Sequence, residues 1–199
     1  MIVLDNCKIF KSGLTLYIDS KECLVQYEKN DVTLVEHKIS CLYNDNKGAV
    51  SLKITDKLFE KLKDSKWMII DDGWCEMEGY SYLYEPGDFM TWGTELPELA
   101  CLCSVPEVSL TGTYSISISK NRLCFTSFDN SEKYFFETIK SFPETKKVYV
   151  DMKNLSEVLG GYRGLIMKLY LREDFPICIE FNDSTRVYIA PFIFDAVSD

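Results

Sequence analysis

Histidine is almost missing from this chain: His37 is the single one in 199 residues. A Ser-His-Asp or Cys-His arrangement would have to be built on it, yet it sits inside Val35-Glu36-His37-Lys38-Ile39, where a histidine at the edge of a strand is the plainer reading. There is no Gly-Lys-Ser/Thr phosphate loop, and Gly160-Gly161-x-x-Gly164 follows a helical pattern instead of opening one. Asp71-Asp72 resembles a carboxylate pair for a divalent ion, but its Asp-Asp-Gly context between two strand-like runs has the chemistry of a hairpin turn. No secretory signal and no run of about twenty apolar residues is present. An intracellular setting follows, in the cytoplasm and nucleoid or the nucleus of a host cell. Neither an enzyme nor a cofactor is expected.

Basic residues are in the minority. Lys and Arg number 22 against 31 Asp and Glu, a net charge of −9. That excludes a surface coated with phosphate-binding charge, although a few cations can still be gathered on one face. The eight cysteines, Cys7, Cys23, Cys41, Cys75, Cys101, Cys103, Cys124 and Cys178, are scattered, mostly in apolar runs such as Glu22-Cys23-Leu24-Val25. In a reducing interior they read as small core residues. The one close pair, Cys101-x-Cys103, lacks the second pair or the histidines that a zinc site needs, so no metal is expected.

What is present is a globular α+β pattern, with 46% apolar and 14% aromatic residues. Leu14-Thr15-Leu16-Tyr17-Ile18 alternates as a half-buried strand should, and Cys23 to Tyr27 and Val32 to Ile39 follow across short turns. Val50 to Ile54 is a strand, Thr55 or Asp56 can cap a helix, and Leu58, Phe59 and Leu62 form its apolar face. Trp67 to Ile70 and a hairpin over Trp74 to Tyr84 complete the unit. The same order returns later. Strands parallel to Leu16–Ile39 run from Ile116 to Ile139, and Leu155 and Leu159 repeat Leu58 and Leu62 at an offset of 97, which Met68 and Leu165 also share. Such repetition signals an internal duplication. Two mostly antiparallel domains with one or two short helices each are predicted, residues 1–84 and 100–199. They are joined by a connector at 85–99 that carries Pro86, Gly87, Gly93 and Pro97.

The last third is the most legible part. Val148 and Val150 lead into a short helix that Gly160 and Gly161 are expected to end in a left-handed conformation. Three β-rich runs follow, Leu165–Leu171, Ile177–Phe181 and Val187–Phe192, parted by Asp174-Phe175-Pro176 and Asn182-Asp183-Ser184. This order, closing on Ile189-Ala190-Pro191-Phe192-Ile193, resembles the C-terminal domain of the sliding clamps, the proliferating-cell-nuclear-antigen family. That family typically ends on an Asp-Met-Pro turn and a strand closing on Leu-Ala-Pro, then a basic residue. The aromatic Phe192 departs from it.

The resemblance implies a DNA polymerase processivity factor whose subunits close head to tail, by default as a homotrimer, around duplex DNA. Basic residues on inward helices would be Lys57, Lys61, Lys63 and Lys66 with Lys153 and Arg163, although Glu60, Asp64 and Glu157 among them also fit an ordinary solvated face. DNA polymerase and other replication proteins would dock by a peptide on Pro176, Ile177, Ala190, Pro191, Phe192 and Ile193 with connector residues Phe89, Met90 and Trp92. Plain packing of the connector on the sheet is the other reading of those side chains. Family domains carry two helices each, and only one per half is legible here. The chain is therefore similar to a shortened viral or phage-type clamp, or to a clamp-like adaptor or inhibitor that does not enclose DNA.

Overall fold

A computed structural model describes residues 1–5, 12–19, 23–39, 41–45, 48–88, 98–142, 147–172, 175–182 and 184–192. The chain divides into two compact units, Met1–Tyr27 with Glu36–Thr91, and Glu28–Val35 with Trp92–Asp199.

The first copy of the repeat runs β1 (Ile2–Asp5), β2 (Leu14–Ile18), β3 (Cys23–Asn30), β4 (Thr33–Lys38), β5 (Cys41–Asn44), β6 (Val50–Ile54), α1 (Asp56–Leu62), β7 (Trp67–Asp71), β8 (Trp74–Met77) and β9 (Tyr80–Leu83). The second runs β10 (Glu98–Ser104), β11 (Thr113–Ser119), β12 (Arg122–Ser127), β13 (Lys133–Glu137), β14 (Lys140–Ser141), β15 (Val148–Asp151), α2 (Met152–Gly161), β16 (Ile166–Leu171), β17 (Ile177–Phe181) and β18 (Thr185–Ile189). The pairings repeat strand for strand. In the first copy the orders are β5-β1-β7-β8-β9 and β4-β3-β2-β6; in the second they are β14-β10-β16-β17-β18 and β13-β12-β11-β15. Even the register repeats, since Leu16↔Val25 becomes Ile116↔Phe125 and Ile18↔Cys23 becomes Ile118↔Leu123.

Alternation builds each strand. In β2, Leu14, Leu16 and Ile18 are buried and Thr15 and Tyr17 are half-buried. With Leu4, Leu52, Leu58, Leu62, Met68 and Cys75 they form the first core. In the second unit Phe125, Val150, Leu155, Leu159, Leu169, Ile179 and Phe181 are buried. Each helix starts on an oxygen cap: Thr55 accepts from the Leu58 N–H at 3.3 Å, and Asp151 from the Lys153 N–H at 2.9 Å.

The structure differs from the sequence expectation in four places. Leu165 is not the partner of Met68, because it lies outside β16 and is only half-buried; the buried Met167 holds that place. The cause is the length of the helices, ten residues in α2 against seven in α1, so an offset that holds along the helix slips after it. Gly160 and Gly161 lie inside α2, and the left-handed glycine is Gly164 at φ +80°. The last strand is Thr185–Ile189 and ends before the Ala190-Pro191 step, since Pro191 has no N–H for a ladder. Strand β10 also begins at Glu98, within the stretch expected as connector.

In both copies the chain after the ninth strand returns to the sixth. The Lys53 N–H donates to the Glu85 carbonyl at 2.9 Å and the Gly87 N–H to the Ser51 carbonyl at 3.3 Å; the Phe192 N–H donates to the Tyr149 carbonyl at 2.8 Å. Gly87 lies so close to β6 that a Cβ would fall 2.8 Å from the Leu52 carbonyl carbon and from Thr15 Cγ2. Gly87→Ala is therefore expected to cost about 1–3 kcal/mol by overpacking. Denaturant titration checks this, and an unchanged midpoint would mean that residues 85–87 shift at no cost.

Candidate nucleic-acid and partner interfaces

Helix α1 is short and carries two lysines, Lys57 and Lys61, beside the exposed carboxylates of Asp56 and Glu60. Lys57 and Lys61 stand one turn apart, and both lean toward β9, with Lys57 Nζ 5.4 Å from the Tyr82 ring centre and Lys61 Nζ 4.2 Å from that of Tyr80. The two tyrosine rings are 6.3 Å apart. Each such contact is worth about 0.5–1 kcal/mol at an exposed site, enough to bias where a flexible amine sits. Lys63 pairs with Glu60; this hydrogen bond, then the charge itself, raises the Lys63 pKa. Lys66 is exposed between α1 and β7. The other two expected cations belong to the second unit, where Lys153 and Arg163 are exposed on and after α2. Glu157 on α2 is held by Lys29, from the tip of the β3–β4 hairpin, at 3.2 Å. Helix α2 thus carries one cation and one carboxylate, and α1 two of each.

Among the described residues no second helix stands beside α2. Residues 105–112 run there without regular structure, tied down by Ser156, whose Oγ accepts from the Leu110 N–H at 3.2 Å and donates to the Leu110 carbonyl at 3.3 Å.

The expected partner pocket is only partly described. Phe89, Met90, Trp92 and Ile193 lie outside the described residues. Pro176 and Pro191 are half-buried, Ala190 is exposed, and Phe192 is 45% exposed. Ile177 is fully buried opposite Ile189, in the row that Ile179 and Val187 continue, so its side chain faces the core. The opposite face of β16-β17-β18 carries two cross-strand rows that the sequence pattern did not single out. One is Tyr170↔Cys178↔Tyr188, packed with Leu34 from the hairpin tip; the other is Lys168↔Glu180↔Arg186. The signal for them was Ile177-Cys178-Ile179, an apolar run without alternation, as expected of a strand covered on both faces. Lys168 donates to Glu180 at 2.6 Å and Arg186 at 3.2 Å. Burial pushes the Glu180 carboxyl up, but these two cations outweigh it and leave the pKa below the usual carboxylate value.

The sheet edges differ between the copies. Strand β18 carries β4 beside it, and the Ala190 N–H donates to the Val32 carbonyl at 2.8 Å. Its counterpart β9 ends its sheet, as does β13, the counterpart of β4. Large apolar side chains stand exposed there: Leu83 at 69% on β9 with its cross-strand neighbour Trp74 at 49%, Phe135 at 54% on β13, and Phe128 at 58% in the turn before it. The row equivalent to Trp74 and Leu83 in the second copy is Cys178 and Tyr188, which are 0% and 4% exposed.

The chemistry of reaction is poorly represented. Asp72 at φ +39° and Gly73 at φ +85° form the turn between β7 and β8. His37 stacks on Tyr27 with ring centres 5.9 Å apart. Burial pushes the Cys75 thiol up to about 11, and burial followed by the neighbouring Cys41 pushes Cys23 up to about 12, which keeps both protonated. Among the described residues no group of His, Cys, Asp and Glu could hold a metal ion, and no helix is long and apolar enough to cross a membrane.

No protein-family model matches the sequence, and no curated protein matches it. Solved structures do match. The A. fulgidus PCNA bound to the C-terminal region of FEN-1 superposes at a TM-score of 0.59 and 14% identity, over 98% of this chain and 100% of that one. A PCNA2–PCNA3 complex from Sulfolobus tokodaii matches at 0.57 and 12% identity, over 96% and 98%. A protein assigned as a DNA polymerase III beta subunit from Eubacterium rectale matches at 0.66 and 12% identity, over 99% of this chain and 66% of that one. The fold shared with these proteins is the sliding-clamp fold, two tandem domains of mostly antiparallel sheet with short helices.

Proposed function

We propose that this chain, having the sliding-clamp fold, is a DNA sliding clamp and polymerase processivity factor whose copies join head to tail into a ring around duplex DNA. The observation that carries the reading is the unequal state of equivalent edges. Strand β18 is completed by β4, while β9 and β13 end their sheets with Leu83 and Phe135 exposed. Pairing β13 of one copy with β9 of the next repeats the β4–β18 contact between chains. Such a heterologous contact makes a ring when the rotation closes. Three chains, each with two repeats, are the default count. The protein does no chemistry of its own. A closed ring keeps its polymerase near the template, so that rebinding becomes a local event at high effective concentration.

Lys63 and Lys66 after α1, with Lys153 and Arg163, supply an attraction to phosphates that carries no base readout and so permits sliding. Partner proteins of replication dock by a short peptide at the end of β18, against Pro176, Pro191 and Phe192, which are half-buried or exposed. The setting proposed is the interior of the cell.

The experiment combines sedimentation with primer extension by a clamp-dependent polymerase on circular template. Rings that raise processivity, and that stay on closed circles but run off linear DNA, are expected. Lys63→Ala with Lys66→Ala is expected to leave the rings intact and to flatten the slope of log K against log salt by about 0.9 for each phosphate no longer neutralised. The second reading is a clamp-like adaptor or inhibitor that does not enclose DNA. The single described helix in each copy and the net charge of −9 favour it, and a monomer at micromolar concentration that leaves the polymerase unaffected would establish it over the first.

A further inference from the structure

We infer that Lys57 and Lys61 hold the acidic tip of the β12–β13 hairpin, at Asp129, of a second copy of this chain. The inference rests on the head-to-tail reading above and adds to it an electrostatic lock at the seam. Its template lies within the second unit, where the tip of the β3–β4 hairpin meets helix α2 through Lys29 and Glu157 at 3.2 Å.

The repeat shows which groups meet at the equivalent seam between copies. Hairpin β2–β3 and hairpin β11–β12 share their register at an offset of 100 as far as Gln26 and Thr126, so the β12–β13 turn, which holds Asp129, takes the place of the β3–β4 end that carries Lys29. Along the helices the buried Leu155 and Leu159 match Leu58 and Leu62 at an offset of 97, so Glu157 corresponds to Glu60. Lys29 stands there between Glu28 and Asp31, whereas the β12–β13 turn presents Asp129 and Glu132 with no cation between them. The helix has changed too: Lys63 already holds the Glu60 carboxylate, and Lys57 and Lys61 flank it. These two amines lie over Tyr82 and Tyr80 of β9, the edge strand itself. Asp129 is built to stay ionised. The Ser127 hydroxyl, the Ser131 hydroxyl and the Ser131 N–H donate to its Oδ1, and these bonds hold its pKa down at about 2. Glu132 adds a second carboxylate to the same turn. Asp129 and Glu132 would meet the carboxylate of Glu157 unfavourably at the other seam, which disfavours wrong pairing there.

The test is sedimentation of the full chain without DNA across a salt series. The wild-type protein is expected to assemble and to weaken as salt rises. Asp129→Asn, which keeps the acceptor of the turn but loses the charge, is expected to weaken assembly several-fold and to flatten its salt dependence. Lys61→Glu is expected to weaken it about ten-fold or more, and Lys61→Glu with Asp129→Lys to recover most of that loss. Wild-type rings indifferent to salt, or Asp129→Asn rings as strong as the wild type, would overturn the lock while leaving the ring in place. A double variant no better than Lys61→Glu alone would do the same. A wild-type chain that stays monomeric at all salt concentrations would overturn the lock together with the ring.

Discussion

Ser81→Pro is expected to leave the chain folded and to abolish its assembly. In the β8–β9 hairpin the Tyr84 N–H donates inward to the Gly73 carbonyl at 3.1 Å. Antiparallel ladders alternate, so Tyr82 and Tyr80 also bond inward, and the N–H groups of Ser81 and Leu83 point away from β8. Proline at 81 thus removes no bond of the folded chain, and edge strands tolerate it. It does remove a donor in the middle of a four-residue edge and places a ring where the neighbouring strand must lie. Sedimentation velocity should show a monomer, with a melting temperature within a few degrees of the wild type, and Ser81→Ala should assemble normally. Rings formed by Ser81→Pro would show that β9 is not the seam.

Phe181→Ala is expected to cost about 3–5 kcal/mol, the range for truncating a buried phenylalanine. Phe181 is 2% exposed and stacks face to face on Tyr162 at 4.0 Å, an interplanar angle of 13°. Tyr162 is the C-cap of α2, so this contact joins the end of the helix to the sheet beneath it. A domain is stable by only about 5–15 kcal/mol, so most of the margin of the second unit would go. Phe181→Leu keeps much of the volume and should cost less than half as much. Denaturant titration followed by tyrosine and tryptophan fluorescence checks both. A loss below about 1 kcal/mol for the alanine variant would mean that the stack carries little packing energy.

The expectations that held share a local cause. Strand β2 was legible because Leu14, Leu16 and Ile18 alternate with Thr15 and Tyr17, and α1 because a cap precedes two leucines one turn apart. Strands β1 and β5 were missed, and so were their counterparts β10 and β14. That symmetry points to one reason. These strands have weak patterns of their own and are made by remote partners, β1 by β7 and β10 by β16, more than sixty residues away. In β10, Ala100, Cys101 and Cys103 are all fully buried, so small residues and burial on both faces hide the alternation. Which face Ile177 takes was not legible for a related reason. A strand covered on both faces does not reveal from its composition which side each residue takes, and a shift of one position exchanges Ile177 for Cys178.

The duplication and the cap of α1 were thus legible in the order of residues alone, because both are carried by local patterns. The tertiary structure decided which edges end their sheets, which row of β17 faces outward, and which tyrosines the lysines of α1 lie over. Those features depend on hydrogen-bond partners tens of residues apart, and a single sequence carries no local record of which distant strand will lie alongside which.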